Sequence, residues 1–287
     1  MRRFELLEPR SIQEACGILS ANEDVKLIAG GTALLILIKQ GVFVPKTLVN
    51  LKKIKEAGEI TYNPKDGLRV GGLASIYDIE SAPAVRQHYP LLAQACHVVA
   101  NIRIRNMATI GGNLAHADYQ SDPPAALVAL DASVELTNRN RVRKAKLAEF
   151  LLGSYETALE PDELLTALLV PPPPPDIRST YIKFTTRSSE DRPCAGVAAL
   201  VRCSNGICEE ARVVVGAVSP APVVLTDQGR VQGKKLTSEL IGEIAQRAGD
   251  LVDPIEDLRG TVDYKRQLVK VLVRRALTGC VAEQVVR

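Results

Sequence analysis

The sequence has no tryptophan, and only 4% of its 287 residues are aromatic, so a hydrophobic core must be built from aliphatic side chains. Hydrophobic residues make up 46% of the chain, which is enough for a substantial core, and the length favours two domains. An excess of one charge is also missing. A net charge of +3 over this length argues against binding to nucleic acid or to a membrane surface.

Long hydrophobic runs are absent as well. Residues 1–9 contain no apolar segment of the kind that a secretory signal needs. The longest apolar run, residues 213–225, is short and is interrupted by Pro220 and Pro222, which excludes a membrane helix. We therefore expect a soluble, cytoplasmic protein without membrane insertion.

Neither metal-binding nor catalytic motifs are present. The six cysteines form no C-x-x-C pair, and a zinc or Fe–S site needs several thiolates at close spacing, so we expect reduced thiols and no metal on this chain. The sequence lacks G-x-G-x-x-G, G-x-x-x-x-G-K-[ST], G-x-S-x-G and H-E-x-x-H. Its three histidines, His88, His97 and His116, lack metal-site spacing. We name no catalytic residue, and expect a protein that holds a phosphate-bearing ligand.

Two glycine turns are the most informative features that are present. The first consists of Ala29, Gly30, Gly31, Thr32, Ala33 and Leu34, and it follows a short apolar strand at residues 25–28. An all-round apolar stretch follows, which predicts a buried helix. Glycines allow positive φ and close approach of a ligand, and successive N–H groups at such a junction can bind phosphate. A tight turn without a ligand is the alternative, and this stretch alone does not decide between them.

The second turn consists of Thr109, Ile110, Gly111, Gly112 and Asn113. We expect no helix to begin directly here, so the candidate contacts to phosphate or ribose are a backbone nest and the side chains of Thr109 and Asn113. Asp122, followed by Pro123 and Pro124, has the pattern of a helix N-cap, which is a structural alternative to a role in ligand binding.

The remaining pattern predicts an α+β protein. Strands are expected at residues 47–51, 60–62, 68–70, 132–137, 180–186, 194–203 and 209–218, and helices at 11–19, 74–85, 91–99, 238–252 and 261–277. Five consecutive prolines at residues 171–175 predict a stiff polyproline II spacer and a domain boundary. The basic segment 138–146 is interpreted as a solvated hairpin end, with a docking patch as the less favoured alternative.

Taken together, the two glycine turns and their flanks resemble the FAD-binding (medium) subunit of the molybdenum hydroxylases, the family of carbon monoxide dehydrogenase and xanthine dehydrogenase. The Ser121–Pro124 segment, the motif Tyr181-Ile182-Lys183-Phe184 and the closing Asp263-Tyr264-Lys265-Arg266 carry the likeness across nearly the whole chain. The resemblance implies a two-lobed FAD-binding domain of the PCMH type at residues 1–172, with lobes at about 1–55 and 56–172. A small antiparallel sheet packed by helices would follow at residues 176–287.

The resemblance also implies the ligand contacts. In this family the FAD pyrophosphate lies between the two glycine turns, which here are Ala29 to Leu34 and Thr109 to Asn113. Asp122 would contact the ribityl or adenosine side while still capping its helix. Lys183 would lie near the pyrimidine edge of the flavin, and Ala100 and Leu168 would act as wall residues.

The family passes electrons from two [2Fe–2S] clusters of a small subunit to FAD, after oxidation of substrate at a molybdopterin site on a large subunit. The resemblance thus implies both partner subunits, in a dimer of heterotrimers. A cysteine-rich insertion for a [4Fe–4S] cluster, found in some relatives, is missing. Residues 118–120 replace the small residues expected there, which affects access to the flavin. The alternatives are a stand-alone oxidase with flavin attached covalently at His116, disfavoured by the low aromatic content, and an assembly subunit without FAD.

Overall fold

The computed structural model describes residues 3–22, 24–225 and 228–282. The first lobe is a three-stranded parallel sheet flanked by helices, made of β1 (Glu5–Leu7), α1 (Ile12–Ala21), β2 (Val25–Ile28), α2 (Leu34–Lys39) and β3 (Thr47–Asn50). Its strand order is β1-β3-β2. Ser11 caps α1, since its side chain accepts a hydrogen bond from the Glu14 N–H. The predicted small α/β lobe is therefore present.

The second lobe follows two 3₁₀ turns, Leu51–Lys53 and Lys55–Gly58. In chain order it comprises β4 (Ile60–Asn63), β5 (Gly67–Gly71), α3 (Ile76–Ser81), α4 (Pro83–His88), α5 (Pro90–His97), α6 (Ile102–Met107), α7 (Ile110–His116), α8 (Pro123–Ala129), β6 (Ser133–Thr137), β7 (Val142–Lys146), α9 (Leu147–Phe150), β8 (Leu151–Gly153), β9 (Glu156–Thr157) and β10 (Leu164–Val170). Five strands form an antiparallel sheet in the order β4-β5-β10-β6-β7.

The structure of this lobe differs from the sequence predictions in two places. The single helix expected at residues 74–85 is two helices, α3 and α4, because Ala82 is extended (φ −60°, ψ 126°) before Pro83. The central strand β10 was not expected at all. It is buried along most of its length, so its sequence lacks the alternation of polar and apolar residues that identifies a strand with one face in water.

The C-terminal unit is a four-stranded antiparallel sheet followed by helices. It comprises β11 (Arg178–Phe184), β12 (Ala195–Ser204), β13 (Ile207–Gly216), β14 (Val223–Leu225), α10 (Gln228–Val231), α11 (Ser238–Leu251) and α12 (Val262–Ala282). Asn205 and Gly206 connect β12 to β13 with φ values of 50° and 78°, which confirms the predicted hairpin.

Strand β12 joins the C-terminal unit to the second lobe, because both of its faces are buried. Val197, Ala199 and Val201 belong to the core formed with α11 and α12. The alternate residues Ala198 and Leu200 belong to the core that contains α5 and α8 of the second lobe. Successive residues of a strand point to opposite faces, so β12 contributes one face to each core. The C-terminal unit and the second lobe therefore pack tightly together.

The basic segment at residues 138–146 forms the end of the β6–β7 hairpin, as expected. Three of its five positive charges have acidic partners: Arg141 pairs with Glu160 (2.7 Å), Arg143 with Glu163 (2.7 Å) and Lys146 with Asp131 (2.7 Å). A hairpin with most of its charges paired supports the solvated interpretation over the docking patch. Within residues 3–22, 24–225 and 228–282, no helix is both long and apolar enough to cross a membrane.

Candidate functional site

The first glycine turn lies at the C-terminal end of β2, where Gly31 has φ +73°. Gly30 packs directly on the chain that precedes the second turn. A Cβ atom on Gly30 would lie 2.1 Å from the carbonyl oxygen of Met107, so only glycine fits there. This contact brings the two glycine turns, which are far apart in the sequence, to one place on the surface.

The first turn presents a row of unpaired amides. The N–H groups of Gly30, Gly31, Thr32, Ala33 and Leu34 donate a hydrogen bond to no described residue. The first N–H that bonds back into the chain is that of Leu35, which donates to the Gly31 carbonyl (3.0 Å). The residues of this turn are partly accessible. Five successive donors in partly accessible residues ahead of a helix are suited to binding an anion.

The helix after this turn, α2, is not the buried helix that its composition predicts. It has six residues, of which Ile38 alone is buried, while Ile36 is half-exposed. The prediction was wrong because α2 lies on the outer side of the first lobe. All-round apolar composition indicates burial only when other elements cover every side of a helix.

The second turn also differs from expectation, since helix α7 begins at Ile110, directly after Thr109. The Thr109 hydroxyl caps the helix by accepting from the Gly112 N–H (3.2 Å). The N–H groups of Ile110 and Gly111 donate to the carbonyls of Ala74 (3.0 Å) and Gly72 (2.8 Å). A Cβ atom on Gly111 would lie 2.6 Å from the Gly72 oxygen. The turn therefore uses its first amides within the chain.

The second turn can contact a ligand through its side chains, because its first amides bond within the chain. The Asn113 Nδ2 group donates to the Ser121 hydroxyl (2.8 Å), so this predicted contact residue is held against the loop leading to α8. In the same loop, Asp118 pairs with Arg192 of the C-terminal unit (2.8 Å). No sequence motif links Arg192 to the turn, so this contact could not be predicted.

Asp122 is not the N-cap that its position before two prolines predicts. Its backbone is already helical (φ −76°, ψ −47°), and its side chain makes no capping hydrogen bond. The carboxylate instead accepts from the Tyr181 hydroxyl (2.9 Å) and from Lys183 Nζ (3.1 Å), both on β11. The cap prediction failed because two donors across the unit boundary compete for the same oxygens.

The Asp122–Lys183 pair lies in the interior, and the two side chains are only 5% and 6% exposed. Burial raises the pKa of Asp122 to about 6, although Lys183 and Tyr181 act in the opposite direction by stabilising the carboxylate. Gly196 makes room for this arrangement, since a Cβ atom there would lie 2.4 Å from the Tyr181 oxygen. Tyr181 belongs to the sequence motif at residues 181–184, but its contact with Asp122 was not predicted.

Loop 98–100 connects to the same cluster. Lys183 Nζ donates to the Val98 carbonyl (2.7 Å), and Arg105 Nη1 donates to the carbonyls of Val99 (3.1 Å) and Ala100 (3.3 Å). Ala100 has a φ of 41°, a left-handed conformation that these contacts hold in place. The predicted wall residue Ala100 thus lies beside Lys183. Leu168, the other predicted wall residue, is fully buried in the core of the second lobe.

His116 ends α7, and its ring centroid lies 5.1 Å from that of Tyr155. Burial lowers its pKa, nearby Asp118 opposes that change, and Arg192 and Lys26 lower the pKa further. Within the part of the chain that the structure describes, no group of three or more His, Cys, Asp or Glu residues is placed to hold a metal ion.

The fold and the site thus define an α+β protein that has a glycine turn whose amides donate to no described residue, and a buried carboxylate–ammonium pair between the second lobe and the C-terminal unit. Two family models cover most of the chain. The model "FAD binding domain in molybdopterin dehydrogenase" matches residues 2–173. The model "CO dehydrogenase flavoprotein C-terminal domain" matches residues 180–280.

Known proteins match over nearly their full length. The carbon monoxide dehydrogenase medium chain of Hydrogenophaga pseudoflava is 34% identical over 281 residues, 96% of each chain. The glyceraldehyde dehydrogenase medium chain of Sulfolobus acidocaldarius is 30% identical, over 95% of this chain and 96% of the relative. A solved chain of the H. pseudoflava enzyme, in a form lacking the Mo-pyranopterin moiety, superposes with a TM-score of 0.94 at 33% identity, over 98% of each chain.

The chain belongs to the family of FAD-binding subunits of the molybdenum hydroxylases, as its sequence motifs predict. It is an oxidoreductase subunit, and its cofactor is FAD. The α+β fold, an FAD-binding domain followed by a C-terminal flavoprotein domain, is confirmed by the superposition.

Proposed function

We propose that this chain is the electron-transfer flavoprotein of a multi-subunit molybdenum hydroxylase. It would receive electrons from [2Fe–2S] clusters of a small subunit and pass them to an external acceptor, while a large subunit carries the molybdopterin. The observation that carries the proposal is the row of five unpaired amides at the first glycine turn. Bound FAD supplies two-electron redox chemistry. The residues described here bind and orient it.

The contacts on the chain divide into three groups. The amides of Gly30 to Leu34 would hold the pyrophosphate, because a doubly charged group needs several donors and these donors have no partner among the described residues. Thr109 and Asn113 would add hydroxyl and amide contacts from the adjacent turn. The Asp122–Lys183 pair would lie along the ribityl chain and the flavin ring, together with Ala100. Asp122 would accept hydrogen bonds from hydroxyl groups, and Lys183 would supply a positive charge. The proposed FAD-binding set is completed by Ala29, Ile110, Gly111, Gly112 and Leu168.

The domain organisation that we propose divides the chain at the proline run, with FAD binding at residues 1–172 and the C-terminal domain at 176–287. The run connects β10 to β11 and lines a cavity of 390 Å³ together with the stacked rings of Tyr62 and His88. Two subunits of each kind would assemble as a dimer of heterotrimers. The full-length match to medium chains supports separate partner subunits.

The test is the flavin content of the purified protein. We expect a yellow protein that releases FAD, and not FMN, on denaturation. A colourless protein that takes up no FAD on reconstitution would contradict the assignment of the first turn. Flavin that stays with the precipitate after acid treatment would instead favour the covalent oxidase and direct attention to His116.

Co-expression with candidate partners tests the assembly. A complex containing this chain, an iron–sulfur subunit and a molybdopterin subunit should show flavin reduction when the hydroxylase substrate is added. Flavin that is reduced by substrate when this chain is alone would indicate a self-contained oxidase.

A further inference from the structure

Two of the six cysteines face each other on the hairpin that closes the C-terminal sheet. Cys203 on β12 is the register partner of Cys208 on β13, with an irregularity in the ladder between Arg202 and Cys203. The two thiols are close enough for Cys203 to contribute to the raised pKa of Cys208, after the larger effect of burial. The pair matches no cysteine motif, but the two residues are the closest cysteines in the sequence and flank the predicted Asn205-Gly206 hairpin, which places them opposite each other.

The backbone shows which kind of antiparallel pair this is. The Cys208 N–H donates to the Lys234 carbonyl (2.8 Å), and the Cys208 carbonyl accepts from the Gly233 N–H (2.8 Å). Both polar groups of Cys208 therefore point away from β12, so Cys203 and Cys208 form a non-hydrogen-bonded pair. Residues in such pairs have Cα atoms about 4.5 Å apart. That distance lies within the range of about 4.4–6.8 Å that a disulfide spans.

The two cysteines differ in accessibility. Cys208 is fully buried, and burial raises its pKa to about 12, while Cys203 is partly exposed beside the hairpin turn. An oxidant from solvent meets Cys203 first. Cys208 is its cross-strand neighbour, and burial keeps a solvent oxidant away from this second thiol.

We propose that Cys203 and Cys208 are a modification site, a dithiol that hydrogen peroxide converts to a cross-strand disulfide. The Cys203 sulfur attacks the peroxide and breaks its O–O bond, which gives a sulfenic acid and one water. The Cys208 sulfur then attacks the Cys203 sulfur, so that the S–S bond forms and the sulfenic oxygen leaves as a second water. The two thiols lose two electrons and two protons, and the peroxide is reduced to water.

The site is distant from the residues proposed to meet FAD, so it is independent of the proposed function. Gly196, the β12 residue that pairs with Lys183, is seven positions from Cys203. At about 3.3 Å per residue, that separation along the strand is about 23 Å. Closing the disulfide should therefore leave flavin binding unchanged, and it protects Cys203 from irreversible oxidation to sulfinic acid.

The experiment treats the purified full-length protein with a small excess of hydrogen peroxide, without denaturant. We expect the number of free thiols to fall from six to four, and digestion to give a peptide containing both residues that is lighter by about 2 Da and is restored by dithiothreitol. FAD content should not change. Oxidation without a Cys203–Cys208 link, or six thiols that all survive the treatment, would overturn the proposal.

Single variants assign the two roles. Cys208→Ser should leave Cys203 as a sulfenic acid that dimedone traps, and Cys203→Ser should leave the buried Cys208 unreacted. Cys194→Ser is the matched control, because Cys194 is buried, directly precedes β12 and lies outside the pair. It should form the disulfide as the wild type does. Dimedone labelling of Cys208 in the Cys203→Ser variant would refute the assigned order of reaction.

Discussion

Lys183 Nζ lies 3.1 Å from Asp122 Oδ2, and both side chains are withdrawn from solvent at the boundary between the C-terminal unit and the second lobe. The Lys183 charge is thus paired within the chain. A positive charge near the flavin favours its reduced, anionic form, but here Asp122 partly cancels that charge. The redox effect of either residue has to be considered for the pair as a whole.

The first prediction concerns the two-electron potential of the bound flavin. Lys183→Met removes the positive charge and should lower the potential by up to about 30 mV, since 30 mV is about 1.4 kcal/mol for a two-electron couple. Asp122→Asn leaves Lys183 uncompensated and should raise the potential by a similar amount. Redox titration of the three proteins measures both shifts. Shifts of the same sign, or three coincident potentials, would place the pair away from the ring.

The second prediction is the pH dependence that Asp122 adds to stability. Its pKa in the folded protein, about 6, lies above the ordinary value of 3.8. The folded state therefore binds the proton more tightly than the unfolded state, so the contribution of Asp122 is most favourable below pH 4 and is lost as pH rises to about 6. At 1.36 kcal/mol per pKa unit the change is at most about 3 kcal/mol.

Asp122→Asn carries no titrating group at this position. The unfolding free energy of the FAD-free variant should therefore rise relative to that of wild type between pH 4 and pH 7, as urea titrations at several pH values would show. A difference that stays constant across this range would mean that Lys183 keeps the Asp122 pKa near its ordinary value.

The third prediction separates FAD binding from backbone strain at the first turn. Gly31 has φ +73°, and a Cβ atom there would lie 3.1 Å from Leu35 Cδ1, so Gly31→Ala crowds the Leu35 side chain and puts a strained residue in the middle of the row of amides. We expect FAD affinity to fall at least about tenfold, or 1.4 kcal/mol. Gly41→Ala is the matched control, with φ +74° and nothing within 4 Å of the added Cβ atom.

Both alanine variants should lose about 1 kcal/mol of stability from the left-handed conformation. Only Gly31→Ala should lose FAD, as measured by fluorescence titration of the apoprotein. Equal affinity in the two variants would show that the first turn does not hold the pyrophosphate.

Local signals predicted much of the fold. Ser11 before Glu14 predicted the start of α1, and Asn205-Gly206 predicted the β12–β13 hairpin, because each signal acts within a few residues. The two glycine turns likewise identified the family. They did so through their flanking residues, since neither turn alone distinguishes a ligand site from an ordinary junction.

The rest depends on contacts between distant segments. Asp122 has the local pattern of an N-cap, but Tyr181 and Lys183, about sixty positions away, take its oxygens. The N–H groups of Gly111 and Ile110 donate to the carbonyls of Gly72 and Ala74, and no turn pattern in the sequence indicates these hydrogen bonds. Such pairings follow from tertiary packing, which competes with local preference and here overrides it.

The last prediction concerns Asp257, which ties the loop after the second glycine turn to the C-terminal unit. Asp257 accepts hydrogen bonds from Gln120 Nε2 (2.7 Å), from the Tyr119 hydroxyl (3.3 Å) and from Lys265 Nζ (2.9 Å). Lys265 is fully buried. Burial alone would raise the Asp257 pKa, but hydrogen bonds from Lys265 and the Arg259 N–H outweigh it and hold the pKa below its ordinary value.

Asp257→Asn keeps the shape of the side chain but leaves the buried Lys265 charge without its partner, which should cost about 3–5 kcal/mol of unfolding free energy at pH 7. The control is Asp131→Asn, which breaks a solvent-exposed pair with Lys146 and should cost at most about 1 kcal/mol. Because the folded pKa of Asp257 is depressed, its contribution is present above the ordinary value of 3.8 and is lost as pH falls below it. The difference between wild type and Asp257→Asn should therefore shrink on acidification, opposite in sign to the trend expected for Asp122. Similar losses in the two variants at pH 7 would show that Asp257 is no more important than a surface carboxylate.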